Sequence, residues 1–433
     1  LTSQISCFTE YLIVIYVLCK EEVLKAYITG YGIFSSLGNS PNDAFASLLE
    51  SKTGVRFMDE WSQYPNLHAK LAAPVVAYDN KAVLPRQVRR TMSPMSEMSA
   101  LATFQALEMA GIQKEQIDSN KTLLTIGSTT GSPGAMEEYF QKSSAANGLA
   151  AQPGTGFFKV MNHSVASNVA VAIGFNGAVI SPSSACATSA QAAIMGWELI
   201  QSGLYDMVIC GGADELHHLS SSVFDNVYAA SRGYSDHPEL SPRPFDKKRD
   251  GLVVSEGASI LILENEKSLI RRGLQSRLQS FPEFVSGAYL CESSHMSQSN
   301  SQQMVKTMSL AMERGSLTSS DIEYINAHAT GTLQGDGQEC SAIAQIFKDT
   351  VPVSSLKGHF GHSMAACGLA EIIMSLKMME SGILIGTRNL DEVADDCQGV
   401  LHLKSNKSQK INTVLSNNFA FGGINTSLIV RST

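Results

Sequence analysis

Short apolar runs that read as buried strands alternate with helix-like stretches along almost the whole chain. Thr122–Gly127 (TLLTIG), Gly177–Ser183 (GAVISPS), Met207–Gly212 (MVICGG) and Ala258–Leu263 (ASILIL) are such runs, as are Tyr324–His328 and Asn412–Asn417. Strands this short and apolar must be covered on both faces, and the intervening helices are the only segments able to cover them. The expectation is a layered α/β fold. One helix should follow Ser93 as cap, with Pro94 in its first turn and Met98, Leu101, Ala102 and Leu107 on one face. Another should run from Ala187 to Ser202 and stop at Gly203.

The chain has 433 residues, 44% hydrophobic and 17% charged, enough for two core-forming units. A net charge of −8 argues against chain-wide attraction to nucleic acid or an anionic membrane. Eight cysteines without CxxC pairs argue against a zinc site or a disulfide framework, so a reducing, cytoplasmic setting is expected. Tyr11–Cys19 is a nine-residue apolar run, short of the ~20 residues a membrane helix needs. It also lacks the flanks of a signal peptide. Folded sequence begins at Leu24–Gly32 (LKAYITGYG). Residues 1–22 read as an upstream extension, either a start assigned too early, with Val23 the true one, or an accessory segment. The Ser/Gln-rich stretch Glu292–Gln303 reads as a long loop. Gly127–Gly134 (GSTTGSPG) lacks the Gly-Lys-Ser/Thr ending of a phosphate-binding loop.

Chemistry concentrates in four segments. Ser183–Ala190 (SSACATSA) sets Cys186 between a strand and a helix start, where the positive end of the helix dipole should lower a thiol pKa. Asn326–Thr332 (NAHATGT) places His328 just after a strand, and Lys357–Gly368 (KGHFGHSMAACG) sets Lys357 and His362 five residues apart. Asn417–Asn425 (NNFAFGGIN) supplies a Gly-Gly turn behind Phe421. Taken singly, a buried inert cysteine or a structural histidine explains each; together and in this order they point to nucleophilic catalysis.

In these segments, and in Ser241–Gly257 (SPRPFDKKRDGLVVSEG), the chain resembles the β-ketoacyl-carrier-protein synthases I/II of the thiolase-like superfamily, from about Leu24 to the C-terminus. The resemblance implies two similar halves, each with a mixed five-stranded sheet, in α-β-α-β-α layers. We expect residues 23–270 to form the half with the nucleophile and 271–433 the half with the two histidines. Cys186 resembles the acyl-accepting nucleophile, His328 and His362 the histidine pair, and Lys357 the lysine that supports them. Glu371 matches a buried family glutamate. Phe421 resembles the gate residue whose backbone N–H joins that of Cys186 in the oxyanion hole. Thr330, Thr332 and Gly422 are expected to border substrate, with Ser297 standing where a further threonine usually sits. Gly127–Gly134 should shape the acyl pocket.

The implied partners are acyl- and malonyl-loaded carrier protein and a second subunit, identical or not, with no cofactor and no metal. Because carrier proteins of this kind are acidic, docking needs a local basic face; Arg86, Arg89 and Arg90 would share one side of a helix. Ala329, Gly358-His359-Phe360, Asn418 and Ala420 depart from the family pattern, and His359 is expected to be structural. A thiolase would need a second cysteine beside Phe421-Gly422-Gly423, and a synthase III an Asn in place of His362. The alternative from another class is a non-catalytic, chain-length-determining subunit, which typically lacks the nucleophile.

Overall fold

The computed structural model describes residues 24–144, 148–151, 154–293 and 295–432, so Tyr11–Cys19 and the start at Val23 lie outside the described residues. Five strands, β1 (Ala26–Phe34), β2 (Thr122–Gly127), β3 (Ala178–Ile180), β4 (Met207–Asp214) and β5 (Gly257–Asn265), lie in the order β3-β2-β4-β5-β1. The first three are parallel and the last two antiparallel. Later in the chain β6 (Glu283–Cys291), β7 (Tyr324–Asn326), β8 (Pro352–Ser354), β10 (Thr413–Phe419) and β11 (Ile424–Arg431) repeat that order and those directions as β8-β7-β10-β11-β6. Besides two small sheets of two and three strands, the structure differs from two separate five-stranded sheets in two respects. A two-residue strand, β9 (Leu401–His402), extends the β8 edge. In addition, β1 pairs with β6 at Ala26–Phe284 and Tyr27–Glu283, joining both sets into one eleven-stranded sheet.

Helices follow the repeat: α1 (Pro94–Ala110), α2 (Ser164–Ile173) and α3 (Thr188–Gln201) in the first set, α4 (Ser301–Arg314), α5 (Leu333–Phe347) and α6 (Cys367–Ser381) in the second. Alternate strand residues point to opposite faces. Leu261 and Leu263 of β5 therefore meet α3 and α6, while Ile260 and Ile262 meet α1 and α2. On the other set Val414 faces the central helices and Leu415 faces α4 and α5. The outcome is the five-layer α-β-α-β-α arrangement. Each fully buried Leu or Ile contributes roughly 1.5–3 kcal/mol.

The two central helices touch closely: a Cβ added to Gly368 would lie 3.0 Å from Ala190 Cβ, so only glycine fits there. Both helices are entered the same way, through a one-turn 3₁₀ segment preceded by or containing an alanine or methionine at positive φ (Ala185 at 46°, Met364 at 46°). Internal repetition thus sets two tight strand-to-helix turns side by side, and the site is built on them.

Local readings need some adjustment. Ser93 is the N-cap of α1, but its hydroxyl makes no bond to the first turn. The Glu292–Gln303 loop ends early, because the Asn300 side chain accepts from the N–H groups of Gln302 and Gln303 and starts α4 at Ser301. Among the described residues no helix is long and apolar enough to cross a membrane.

Candidate active site

Cys186 sits in the 3₁₀ turn Ala185–Ala187 that leads into α3. Thr188 stitches this turn, its hydroxyl accepting from the Ser184 N–H at 2.9 Å and donating to the Ala185 carbonyl at 2.8 Å. Cys186 is buried, and its Sγ lies 2.9 Å from His362 Nε2. The backbone N–H groups of Cys186 and Phe421, like the Lys357 ammonium, favour the ionised form of the sulfur. The expected lowering of the thiol pKa does not occur: burial pushes it up to about 12, outweighing Lys357 and both N–H groups. Desolvation in this pocket overrides the helix dipole, so the resting residue is a thiol.

His328 and His362 face each other edge to face, with ring centroids 5.4 Å apart. Both are held well below the ordinary histidine pKa, first by burial and next by the Lys357 ammonium. Both are therefore neutral. The Met364 N–H points at His362 Nδ1 across 3.3 Å, which leaves the proton on Nε2, facing Cys186. His328 Nδ1 is buried without a protein partner. Lys357, itself buried, forms an ion pair with Glu371, which also accepts from Asn418 Nδ2 at 2.9 Å. Burial lowers the Lys357 pKa, but Glu371 more than restores it, so the ammonium persists.

A cavity of about 60 Å³ opens beside Cys186, lined by His328, His362, Thr330, Thr332, Phe224 and Phe421 among others. Ser297 lines it too, although its hydroxyl and N–H are both engaged with His295 Nδ1 at 3.3 and 3.1 Å. Phe421 is 38% exposed and stacks on Phe224 with centroids 5.8 Å apart. Its loop is tied to the 292–300 segment: Gly422 N–H donates to the Met296 carbonyl, and Glu292 N–H to the Gly423 carbonyl, both at 2.8 Å. A Cβ on Gly423 would stand 2.1 Å from the Glu292 oxygen, which explains the Gly-Gly turn. Gly127–Gly134 does not line this cavity. Ser128 and Thr129 bind the Asp214 carboxylate instead, and Asp214 also accepts the Ala365 N–H at 2.8 Å, bracing the turn before α6.

These positions stand in a chain whose residues 25–268 and 285–391 match the families described as β-ketoacyl synthase, N-terminal domain, and β-ketoacyl synthase, C-terminal domain. The chain belongs to the β-ketoacyl synthase family. It is 32% identical to the 3-oxoacyl-[acyl-carrier-protein] synthase 1 of Haemophilus influenzae, over 94% of this chain and 98% of that protein. The Escherichia coli protein of the same name is also 32% identical, with the same coverage. A solved β-ketoacyl synthase from Burkholderia phymatum superposes with a TM-score of 0.90 at 35% identity, covering 95% of this chain and all of that one.

This β-ketoacyl synthase brings Cys186, His328, His362 and Phe421 to one cavity, with Lys357 and Glu371 beneath it. Cys186 Sγ and nitrogens of both histidines lie within 4.8 Å of one another, a donor set a transition metal could use. The Lys357 charge acts on all three groups and opposes a second cation there. His359 sets Nδ1 2.9 Å from the Lys52 carbonyl and Nε2 3.2 Å from the Gly386 carbonyl, and its single N–H donates to one of them. The arginine segment is less regular than a shared helix face. The helix is only Arg86–Arg89, with Arg90 at its cap, and Arg89 Nε donates to the Leu84 carbonyl at 3.0 Å. Only Arg86 and Arg90 are exposed.

Sequence reasoning missed Asp336 and Glu339, three residues apart on α5. Glu339 accepts the N–H groups of His328 and Ala329 at 2.8 and 2.7 Å, and Asp336 accepts those of Thr330 and Gly331. Burial raises Asp336 to about 6 and Glu339 to about 8. Two acidic residues on one buried helix face, eight and eleven positions after His328, were the available signal.

Proposed function

We infer that this protein is a β-ketoacyl-carrier-protein synthase, an acyltransferase that joins an acyl thioester to malonyl-carrier protein with loss of carbon dioxide. The observation that supports it most is Cys186 Sγ set 2.9 Å from His362 Nε2 in the cavity that His328 and Phe421 also line. The Cys186 sulfur attacks the incoming thioester carbonyl, its proton passes to the departing pantetheine thiolate, and the acyl group remains on Sγ. The N–H groups of Cys186 and Phe421 hold the oxyanion; each such donor is worth about 2.7–4 kcal/mol. Malonyl thioester then loses carbon dioxide. Its enolate oxygen takes N–H donors from the neutral His328 and His362, and its carbon attacks the Cys186 thioester. β-Ketoacyl-carrier protein leaves, the sulfur departs as thiolate, and a proton from solvent restores the resting Cys186 thiol. Mass spectrometry of carrier-bound products from a panel of acyl donors tests the reading; absence of any two-carbon extension would refute it.

Docking is assigned to Arg86 and Arg90. Reversing both to Glu should raise the KM for carrier-bound substrate about tenfold, equivalent to about 1.4 kcal/mol. The effect should shrink with added salt. Turnover of a small thioester lacking the carrier should stay as it was. Loss with both donor types would instead mean damaged folding.

The active form is assigned as a dimer formed along β3, the strand that ends the sheet. Val179 and Ile180 on this edge are 41% and 37% exposed, and Val171 of the adjoining α2 is 61% exposed. An open apolar strand edge pairs readily with a second copy. Val179→Lys with Ile180→Lys should convert the dimer to monomer in light scattering at micromolar concentration; an unchanged mass would move the interface elsewhere. A cytoplasmic location is supported by free thiols at all six described cysteines.

A further inference from the structure

Away from the catalytic cavity, three side chains with metal-binding atoms converge on one flank of the molecule. Glu137 belongs to the helix Pro133–Ser143, whereas His217 and His218 stand where the helix His218–Asn226 begins. Each imidazole aims Nε2 at a different oxygen of the same carboxylate, His217 at Oε2 across 3.1 Å and His218 at Oε1 across 3.7 Å. The two rings lie 4.1 Å apart, and Tyr64 stacks on His218 with a further 4.1 Å between centroids. The histidine side chains are each only 15% exposed and Glu137 is 30% exposed. They are held in place, yet one side stays open to water.

No step of the condensation uses this trio. Two adjacent imidazoles, tilted 34° to each other and pointing at one carboxylate, are poorly explained as ion pairs, because charging both would set two cations 4.1 Å apart. A single ion between them satisfies all three donors at once. Ligand atoms of a tetrahedral zinc site, with bonds of about 2.0–2.1 Å, stand roughly 3.3 Å from one another; the two N···O separations here are 3.1 and 3.7 Å, and all three donors lie within 4.8 Å. We propose that Glu137, His217 and His218 bind one divalent transition-metal ion, of the zinc, cobalt or nickel class, with water completing its shell. Paired imidazoles select these ions over magnesium and calcium, which prefer all-oxygen ligands.

Binding through Nε2 puts the His217 proton on Nδ1 and gives up the 3.3 Å contact from the Leu219 N–H. That N–H lies in the first helical turn, where water can replace it. The ion would clamp Pro133–Ser143 to the helix that carries Phe224, the ring stacked on Phe421.

The test is calorimetric titration of cobalt(II) into the metal-free full chain carrying Cys186→Ala, which removes the thiol of the catalytic trio, with visible absorption spectra alongside. One ion per chain should bind, with a spectrum free of thiolate charge transfer. Glu137→Gln and His218→Asn should each weaken binding at least tenfold, while their metal-free melting midpoints match the parent. Should one variant fold poorly, the other carries the comparison. Unchanged affinity in the variants, a thiolate spectrum, or no binding by the parent overturns the proposal.

Discussion

Cys186→Ala should lower condensation by on the order of 10⁴-fold or more while leaving the protein folded. Among the described residues this is the thiol in contact with the His362 imidazole, and an alanine methyl forms no thioester. Removing one buried sulfur from a site flanked by small residues lowers stability by about 1–2 kcal/mol. Circular dichroism should therefore show a native spectrum with a slightly lower melting midpoint. Cys367 is the nearby thiol that could substitute, but it donates to the Cys186 carbonyl at 3.2 Å, and burial pushes its pKa well up. Cys186→Gln should behave differently. Its amide resembles the acylated thioester and can use the same two N–H groups, so decarboxylation of malonyl-carrier protein should persist or rise without elongation. Ordinary chain extension by Cys186→Ala would end the assignment of the nucleophile.

The second large effect is expected at the histidines. His328→Ala should reduce malonyl decarboxylation by about 10²–10³-fold, the range for loss of one preorganised donor to an oxyanion. Acyl transfer to Cys186 should change far less, because His328 makes no bond to the sulfur. His362→Ala should slow both half-reactions, since Nε2 touches Sγ directly. Single-turnover assays separate the two steps; equal loss of both in His328→Ala would sink the division of labour.

The pH dependence follows from the lowered histidine pKa values. Neutral donors persist below the ordinary histidine value of about 6.5, so decarboxylation should stay flat as pH falls through it. The same groups link to stability. Unfolded histidines bind protons near pH 6.5 and the folded ones do not, so these two groups cost nothing above that pH and lower stability as pH drops below it. Lys357→Met removes a repelling charge and should move the acid limb of activity upward. It also strands the Glu371 carboxylate, at about 3–5 kcal/mol of stability. An acid limb that does not move in a folded Lys357→Met protein would remove Lys357 from control of the imidazoles.

Much of this architecture was legible from local pattern. Thr122–Gly127 is a strand over the bounds read from its apolar run, and α3 stops one residue before the expected end with Gly203 at positive φ. Such features depend on neighbours within a few positions, where periodicity and turn chemistry operate. The motif segments singled out Cys186, His328, His362 and Lys357, and the fold gathers them, the first three around one cavity and Lys357 paired with Glu371.

Protonation and pairing were not legible, because they depend on burial and on partners far along the chain. A helix-start cysteine reads as a thiolate, yet desolvation beneath two packed layers makes it a thiol. Three arginines read as one charged face, yet a carbonyl five residues away takes up Arg89. Glu137 and His218 are 81 positions apart, with nothing in either local segment pointing to the other. By itself the sequence determined the alternation of strands and helices, the order of the motif segments and the family they resemble. Tertiary structure alone decided which groups are charged, which donors face the sulfur and which distant side chains meet, because solvent exclusion and through-space distance are set only once the layers close.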